Sequence, residues 1–397
     1  MHRLPYWRLS AYYFFYFAFL GAFSPYFGLY LQSLSFSAWD IGLLMSQMML
    51  MRLFGPYLWG ALADRFGQRL PIIRLTSLLA LIAFSVFFFI ARFEAFLLAM
   101  AVLSFFWVAA LPLVESLTFD HLRENPARYS RIRLWGSIGF IAAVLGTGAL
   151  LDHLPLPKLL WVSALALSGI LLCALLVPES PVHHAAPGES QPVGDILRQP
   201  RVRALLAACI TMSAAHGALN IFYSIFLSDH GYSKLLVGGL WSLGVVAEIA
   251  VFFFMSQVMR RFSLRTILLS SFTAAVVRFV MIGWGVEFPL VLALAQLLHG
   301  LTFGAFHAAA IAAINRWFPG RTRSRGQALY SSLTFGAGGL LGGLISGWTW
   351  GHLGAALTFA LSSVYALIGL ILVAGWIRDK DVGEPKAFRV VDTPDLV

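Results

Sequence analysis

Twelve apolar runs fill the chain between residues 8 and 377. They cover 8–32, 40–60, 70–91, 95–119, 131–151 and 158–178, then 202–228, 235–258, 264–285, 289–315, 325–350 and 354–377. Each is close to the roughly 20 residues that a helix needs to cross a bilayer. Lipid offers no partner to a backbone N–H or C=O, so such runs must be helices. A transmembrane barrel would alternate apolar and polar residues, and these runs do not. The expected fold is an all-α integral membrane protein with twelve transmembrane helices.

The sparse charges set the topology. Only 12% of the 397 residues are charged, where a soluble chain would carry about 25%. With the N-terminus placed in the cytoplasm, 23 of the 28 Lys and Arg fall in inside loops and tails. Three fall outside (Arg92, Lys158, Lys234), and Arg52 and Arg278 lie within the membrane. This asymmetry predicts a multi-pass protein of the inner (cytoplasmic) membrane with both termini cytoplasmic. The first run, Tyr12 to Leu31, is too long for a signal segment and has no small-residue cleavage site after it. The net charge of +10 is spread over loops, which argues against a nucleic-acid partner. Cys173 and Cys209 both sit in apolar runs, so neither a disulfide nor a metal site is expected, and no cofactor is called for.

The longest polar break, Pro178 to Arg203, contains Pro181, Pro187, Gly188 and Pro192 and divides the runs six and six. The expected organisation is an N-terminal bundle (1–180), a cytoplasmic linker (181–201), a C-terminal bundle (202–378) and a polar tail (379–397). A faint repeat supports two pseudo-symmetric halves. At an offset of 196, Arg65, Phe66 and Arg69 match Arg261, Phe262 and Arg265.

An ionisable group at the bilayer centre costs roughly 3 kcal/mol, so each one is a functional candidate. In the stretch Leu113–Phe140, Glu115 and Arg133 stand in two apolar runs joined by a polar turn at Asn125-Pro126. Two antiparallel helices would let these charges offset each other, as a ligand site or as a plain structural bridge. Phe140 follows Arg133 by seven residues, on about the same face. Glu248, Arg278 and His299 fall in runs eight, nine and ten. A carboxylate beside a movable arginine can load or release a proton, and this trio is the candidate for proton coupling. Arg52 could hold a carboxylate bidentately if it faces a cavity. It could equally snorkel toward the cytoplasm or pair with a helix carbonyl. His216 and His307 read as packing partners, and Asn220 shares the face of His216. Tyr26 and Tyr30 are the first-run aromatics to test in a cavity.

The loop after the second run reads Gly60-Ala-Leu-Ala-Asp64-Arg65-Phe-Gly67-Gln-Arg69. Gly67 allows a tight turn, Asp64 can face the positive end of a neighbouring helix, and the arginines hold the loop inside. With this motif between runs two and three of twelve, the sequence resembles the major facilitator superfamily over essentially its whole length. The resemblance implies that Gly60, Asp64, Arg65, Gly67 and Arg69 form a cytoplasmic gate latch. The second copy of the motif lacks the acid and both glycines. The first run, YFFYFAFLGAFSPYFGLYL (13–31), and the stretch Tyr129–Phe140 look similar to the branch holding the lactose and phenylpropionate permeases. WSLGVVAE (241–248), QLLHGLTF (296–303) and the surroundings of Arg52 look most like the phenylpropionate permeases. The resemblance places Glu115 with Arg133 at a central carboxylate–arginine pair, and an aromatic at Phe140 against the substrate. It places Glu248, Arg278 and His299 in a charge and proton network. Thr302 stands where the lactose permease carries its proton, and Val251 and Gly339 replace its sugar-contacting amides, which argues against lactose.

The expected function is therefore secondary active transport by alternating access, as proton symport of a small, aromatic organic acid such as a phenylpropionate. The expected partners are the substrate, protons and membrane lipid, with a monomer as the resting form by resemblance. Sugar or nucleoside symport is the first alternative and drug/proton antiport the second. No nucleotide loop appears, so ATP is not the energy source. An intramembrane enzyme has no nucleophile motif or metal-spaced histidines behind it. A sensor that binds without transporting is the remaining alternative.

Overall fold

The computed structural model describes residues 4–122, 128–180 and 193–378, and the description below is confined to these. The Asn125-Pro126 turn, residues 181–192 of the expected linker and the tail from 379 lie outside them. The described chain is helical. The first half consists of α1 (Tyr6–Ser33), α2 (Ala38–Phe66), α3 (Leu70–Ser85), α4 (Phe93–Leu122), α5 (Tyr129–His153) and α6 (Lys158–Leu176). A short α7 (Gly194–Arg198) leads into the second half. There the seventh span is α8 (Pro200–Ala215) plus α9 (Gly217–Asp229), followed by α10 (Lys234–Arg261) and α11 (Leu264–Trp284). The tenth span is α12 (Pro289–Leu297) and α13 (Phe306–Trp317), joined through a wider π-turn segment at Gly300–Ala305. The eleventh is α14 (Arg323–Ser331) and α15 (Gly339–Leu353), joined by a π segment at Ser332–Gly338, and α16 (Ala355–Trp376) is the twelfth.

Eleven of the spans are long and apolar enough to cross a membrane. The remaining span is α2, the second in the chain, which also carries Asp40, Arg52, Asp64 and Arg65. The helix ends follow local chemistry. Ser37 and Asp40 close a capping box at the start of α2, and Ser233 and Ser263 cap α10 and α11. Gly67 ends α2 at φ 67°, a left-handed turn that a side chain would oppose. The outer surface is a belt of apolar groups that water would not tolerate. Phe89 is 88% exposed and Phe253 76%.

Each half packs on itself, α1 against α5 and α6, α2 against α4, and α16 against α8 and α11. The halves meet along α2 with α15 and α5 with α10. Small residues make the close approach possible. A side chain on Gly42 would meet the backbone of Gly347 at 2.7 Å, and one on Gly238 would meet the Val144 carbonyl at the same distance. Several bonds between the halves gather at the end away from the termini. Tyr26 Oη lies 2.8 Å from the Val144 carbonyl and 3.0 Å from that of Lys234, sharing one proton between them. Asp152 of α5 accepts the N–H groups of Lys234 and Leu235, at 2.7 and 3.0 Å, and so caps α10 from the opposite half. Gln32 donates to Asp229 at 3.3 Å. Nearer the middle, Ser332 Oγ donates to the Leu53 carbonyl at 3.3 Å.

Candidate functional site

A cavity of about 300 Å³ lies between the halves. The N-terminal half supplies α1 and α5. On α5, Arg133, Ser137 and Phe140 recur at helical spacing and line one wall, beside Phe17 of α1. The guanidinium of Arg133 lies 3.9 Å from the centre of the Phe17 ring, a cation–π contact, and makes no hydrogen bond or ion pair among the described residues.

The C-terminal half supplies most of the polar groups, from spans whose helices are irregular at cavity height. The seventh span breaks at His216, and the two π segments carry Thr302 and Phe303 on one span and Thr334 and Phe335 on the next. Such irregular turns re-aim side chains and cluster at functional sites. Arg278 of α11 has no exposed surface. It donates to the Ala295 carbonyl (2.8 Å), Thr302 Oγ1 (3.0 Å), Gln296 Oε1 (3.2 Å) and His216 Nε2 (3.3 Å). His216 Nδ1 faces the Met212 carbonyl at 2.8 Å and must carry its hydrogen, leaving Nε2 as the acceptor for Arg278. All four acceptors are neutral, so none of these bonds pairs the guanidinium with a carboxylate.

Glu248 of α10 approaches His299 Nε2 at 3.9 Å, and both line the cavity. His299 Nδ1 is buried with no partner among the described residues. The expected trio is thus gathered around one space, although Arg278 bonds to uncharged groups rather than to Glu248.

The other expected residues are placed differently. Glu115 does not line the cavity and makes no ion pair with Arg133. Its carboxylate accepts a hydrogen bond from Tyr129 Oη at 3.1 Å. Arg52 stands on α2 outside the cavity wall, without a hydrogen bond or ion pair among the described residues. Tyr26 belongs to the contact between the halves, and Tyr30 packs against Phe27 and Phe96 at 5.8 and 6.3 Å. In the loop motif, Asp64 and Arg65 are exposed and Gly67 makes its turn. Arg69 is ion-paired with Asp120, and Glu179 caps the first N–H of α3 at 2.9 Å. A Cβ on Gly60 would meet nothing within 4 Å.

His216 and His307, which read as packing groups in the sequence, line the cavity, as do Gln296, Phe303, Tyr330 and Phe335, which carry no intramembrane charge to single them out. One signal was available, since His299, Phe303 and His307 recur every four residues on one helical stripe.

Two helical bundles with a cavity between them that is walled by rings and carries a few charged side chains form the frame of a secondary membrane transporter. The sequence profile of the MFS_1-like family matches residues 6–361, and the chain belongs to this family of major facilitator transporters. It is 30% identical over 358 residues to an Escherichia coli (strain K12) protein named "Probable 3-phenylpropionic acid transporter", covering 89% of this chain and 93% of that one. It is 29% identical over 385 residues to the maltose permease of Geobacillus stearothermophilus, covering 94% and 95%. Its fold is similar to the crystal structure of the nucleoside transporter NupG, with a TM-score of 0.84 at 18% identity, covering 94% of this chain and 99% of the other. The protein is therefore a multi-pass transporter and not an enzyme.

Proposed function

We propose that the protein carries a small organic anion, with an aromatic acid such as a phenylpropionate as the leading candidate, together with a proton. The observation that carries this reading is the charge of the cavity. Arg133 and Arg278 face it with Glu248 as the one carboxylate on its wall among the described residues, and the rest of the lining is polar-neutral, aromatic or, at Leu20, Met212 and Val245, aliphatic. A carboxylate substrate would balance the second guanidinium, and aromatic walls would take its ring. Arg133 and Arg278, rather than Arg52, are the proposed anchors, with Phe140 against the substrate.

Glu248, with His299 beside it, is the proposed proton carrier. The end bearing the termini is assigned to the cytoplasm by the Lys and Arg asymmetry. Residues 1–180 and 202–378 would rock as two bodies about the cavity, joined by the 181–201 linker and working as a monomer in the inner membrane. The name of the Escherichia coli relative agrees with an aromatic acid as substrate. A sugar or nucleoside is the second reading, favoured by Asn220 and Gln296 on the cavity wall and by the names of the other relatives.

The test is uptake into proteoliposomes of 3-phenylpropionate, its amide, maltose and a nucleoside, with and without an imposed pH gradient. Accumulation of the acid alone, driven by external acidity, is the expected result. Equal uptake of acid and amide, or uptake of the sugar or nucleoside alone, would overturn the anion reading.

A further inference from the structure

The cavity continues beyond Glu248 and His299 along a strip of rings. The planes of His299 and Phe303 lie 17° apart with centroids 5.4 Å apart, and those of Phe303 and His307 lie 9° and 6.2 Å apart. Phe335 of the eleventh span faces both, 6.3 Å from Phe303 and 6.0 Å from His307. At the end of the strip His307 Nδ1 lies 2.8 Å from Tyr330 Oη. Tyr330 is 1% exposed, yet both residues border the cavity. His307 Nε2 has no protein partner among the described residues.

Either tautomer of His307 leaves a free donor. If the Tyr330 hydroxyl donates to Nδ1, then Nε2 carries a hydrogen with no acceptor. If Nδ1 donates instead, the hydroxyl hydrogen is the one left over. The pair therefore always offers one hydrogen-bond donor, set in an aromatic frame. It stands two helical turns from His299, about 12 Å along the axis. Neither the proton pathway nor the carboxylate anchors use it.

We propose that His307 and Tyr330 form a second binding station that receives an oxygen substituent on the ring of the substrate. The favoured cargo is then an aromatic acid with a ring hydroxyl or ether opposite its side chain. Its carboxylate lies at Arg133 and Arg278, its ring along Phe303 and Phe335, and its ring oxygen at the His307–Tyr330 donor. This proposal rests on the organic-anion reading above.

The experiment measures the affinities of the purified protein for 3-phenylpropionate and 3-(4-hydroxyphenyl)propionate by calorimetry, and reads their ratio. The hydroxylated acid is expected to bind about fivefold tighter, the effect of one additional hydrogen bond. His307→Phe combined with Tyr330→Phe keeps both rings and removes both donors, and should bring the ratio to about one. His307→Gln restores a donor and should keep most of the preference. If that double variant fails to fold, His307→Leu combined with Tyr330→Phe, which also removes both donors, gives the same readout. Equal affinities in the wild type, or a preference that survives loss of both donors, overturns the second station alone. If neither acid binds while maltose or a nucleoside does, the anion reading falls and the station falls with it.

Discussion

Arg278 and Arg52 are both arginines inside the membrane, and the sequence does not tell them apart. Their surroundings do. Arg278 is fully buried and held by four neutral acceptors on the cavity wall, whereas Arg52 stands outside that wall. Arg278→Gln should therefore abolish ligand-induced thermal stabilisation by 3-phenylpropionate, and Arg52→Gln should retain it. Arg278→Gln should also lower the melting temperature of the unliganded protein. It strands His216 and Thr302, each lost bond costing on the order of 0.5–2 kcal/mol. Glu248→Gln is expected to separate binding from coupling. Exchange of labelled for unlabelled substrate should persist, while accumulation driven by a pH gradient should be lost. Full accumulation by this variant would remove Glu248 from the proton pathway. Intramembrane charges were legible as candidates because each stands out in an apolar run. Their partners were not legible, because the Glu115 carboxylate bonds to Tyr129 and Arg133 turns to Phe17. A spacing of residues along the chain cannot show which way two long side chains will turn.

At the scale of elements, eleven of the twelve spans follow from apolar run length, and the observed helices fall close to the expected ranges. The irregular turns inside the seventh, tenth and eleventh spans were not foreseen. They contain Gly217, Gly300 and Gly338, but an isolated glycine in an apolar run usually serves close packing, so it gives no specific signal. The close approach of α5 to α10 is the contact proposed to close the cavity at the end away from the termini. Gly148 and Gly238 sit so near Tyr26 that a Cβ on either would lie 2.6 Å from its hydroxyl. Gly148→Val should force α5 and α10 apart at that end. A cysteine placed at Ser24 on the cavity wall should then react several times faster with an impermeant thiol reagent added outside. Unchanged labelling would show that the contact does not hold the cavity shut.

For the whole molecule, the bonds from Tyr26, Asp152 and Gln32 tie the halves together at the end away from the termini. A transporter that opens there must break all of them, so their strength sets part of the balance between its two states. Asp152→Ala removes a carboxylate from two backbone N–H groups and should shift the balance toward opening at that end by about 1.5–3 kcal/mol. Distances between spin labels on the ends of α1 and α10 would report the shift, and an unchanged distribution would assign the latch elsewhere. Tyr26 shows how such a role escapes sequence reading. It was expected as a ligand contact because it is an aromatic in a cavity-forming helix, yet its hydroxyl is spent on two carbonyls, one of them across the interface between the halves.

By itself the sequence determined the class of the molecule. Apolar run length, the imbalance of Lys and Arg and the rarity of buried charge are properties of the chain against its solvent, so they can be read without coordinates. The loop motif around Asp64 and the residues near Arg133 and Glu248 added the family. Only the tertiary structure decided which charges share the cavity and which histidines belong to it. It also decided that Tyr26 and Asp152 join the halves. Those outcomes depend on side-chain direction and on contacts between helices far apart in the chain, set by packing that no local pattern encodes.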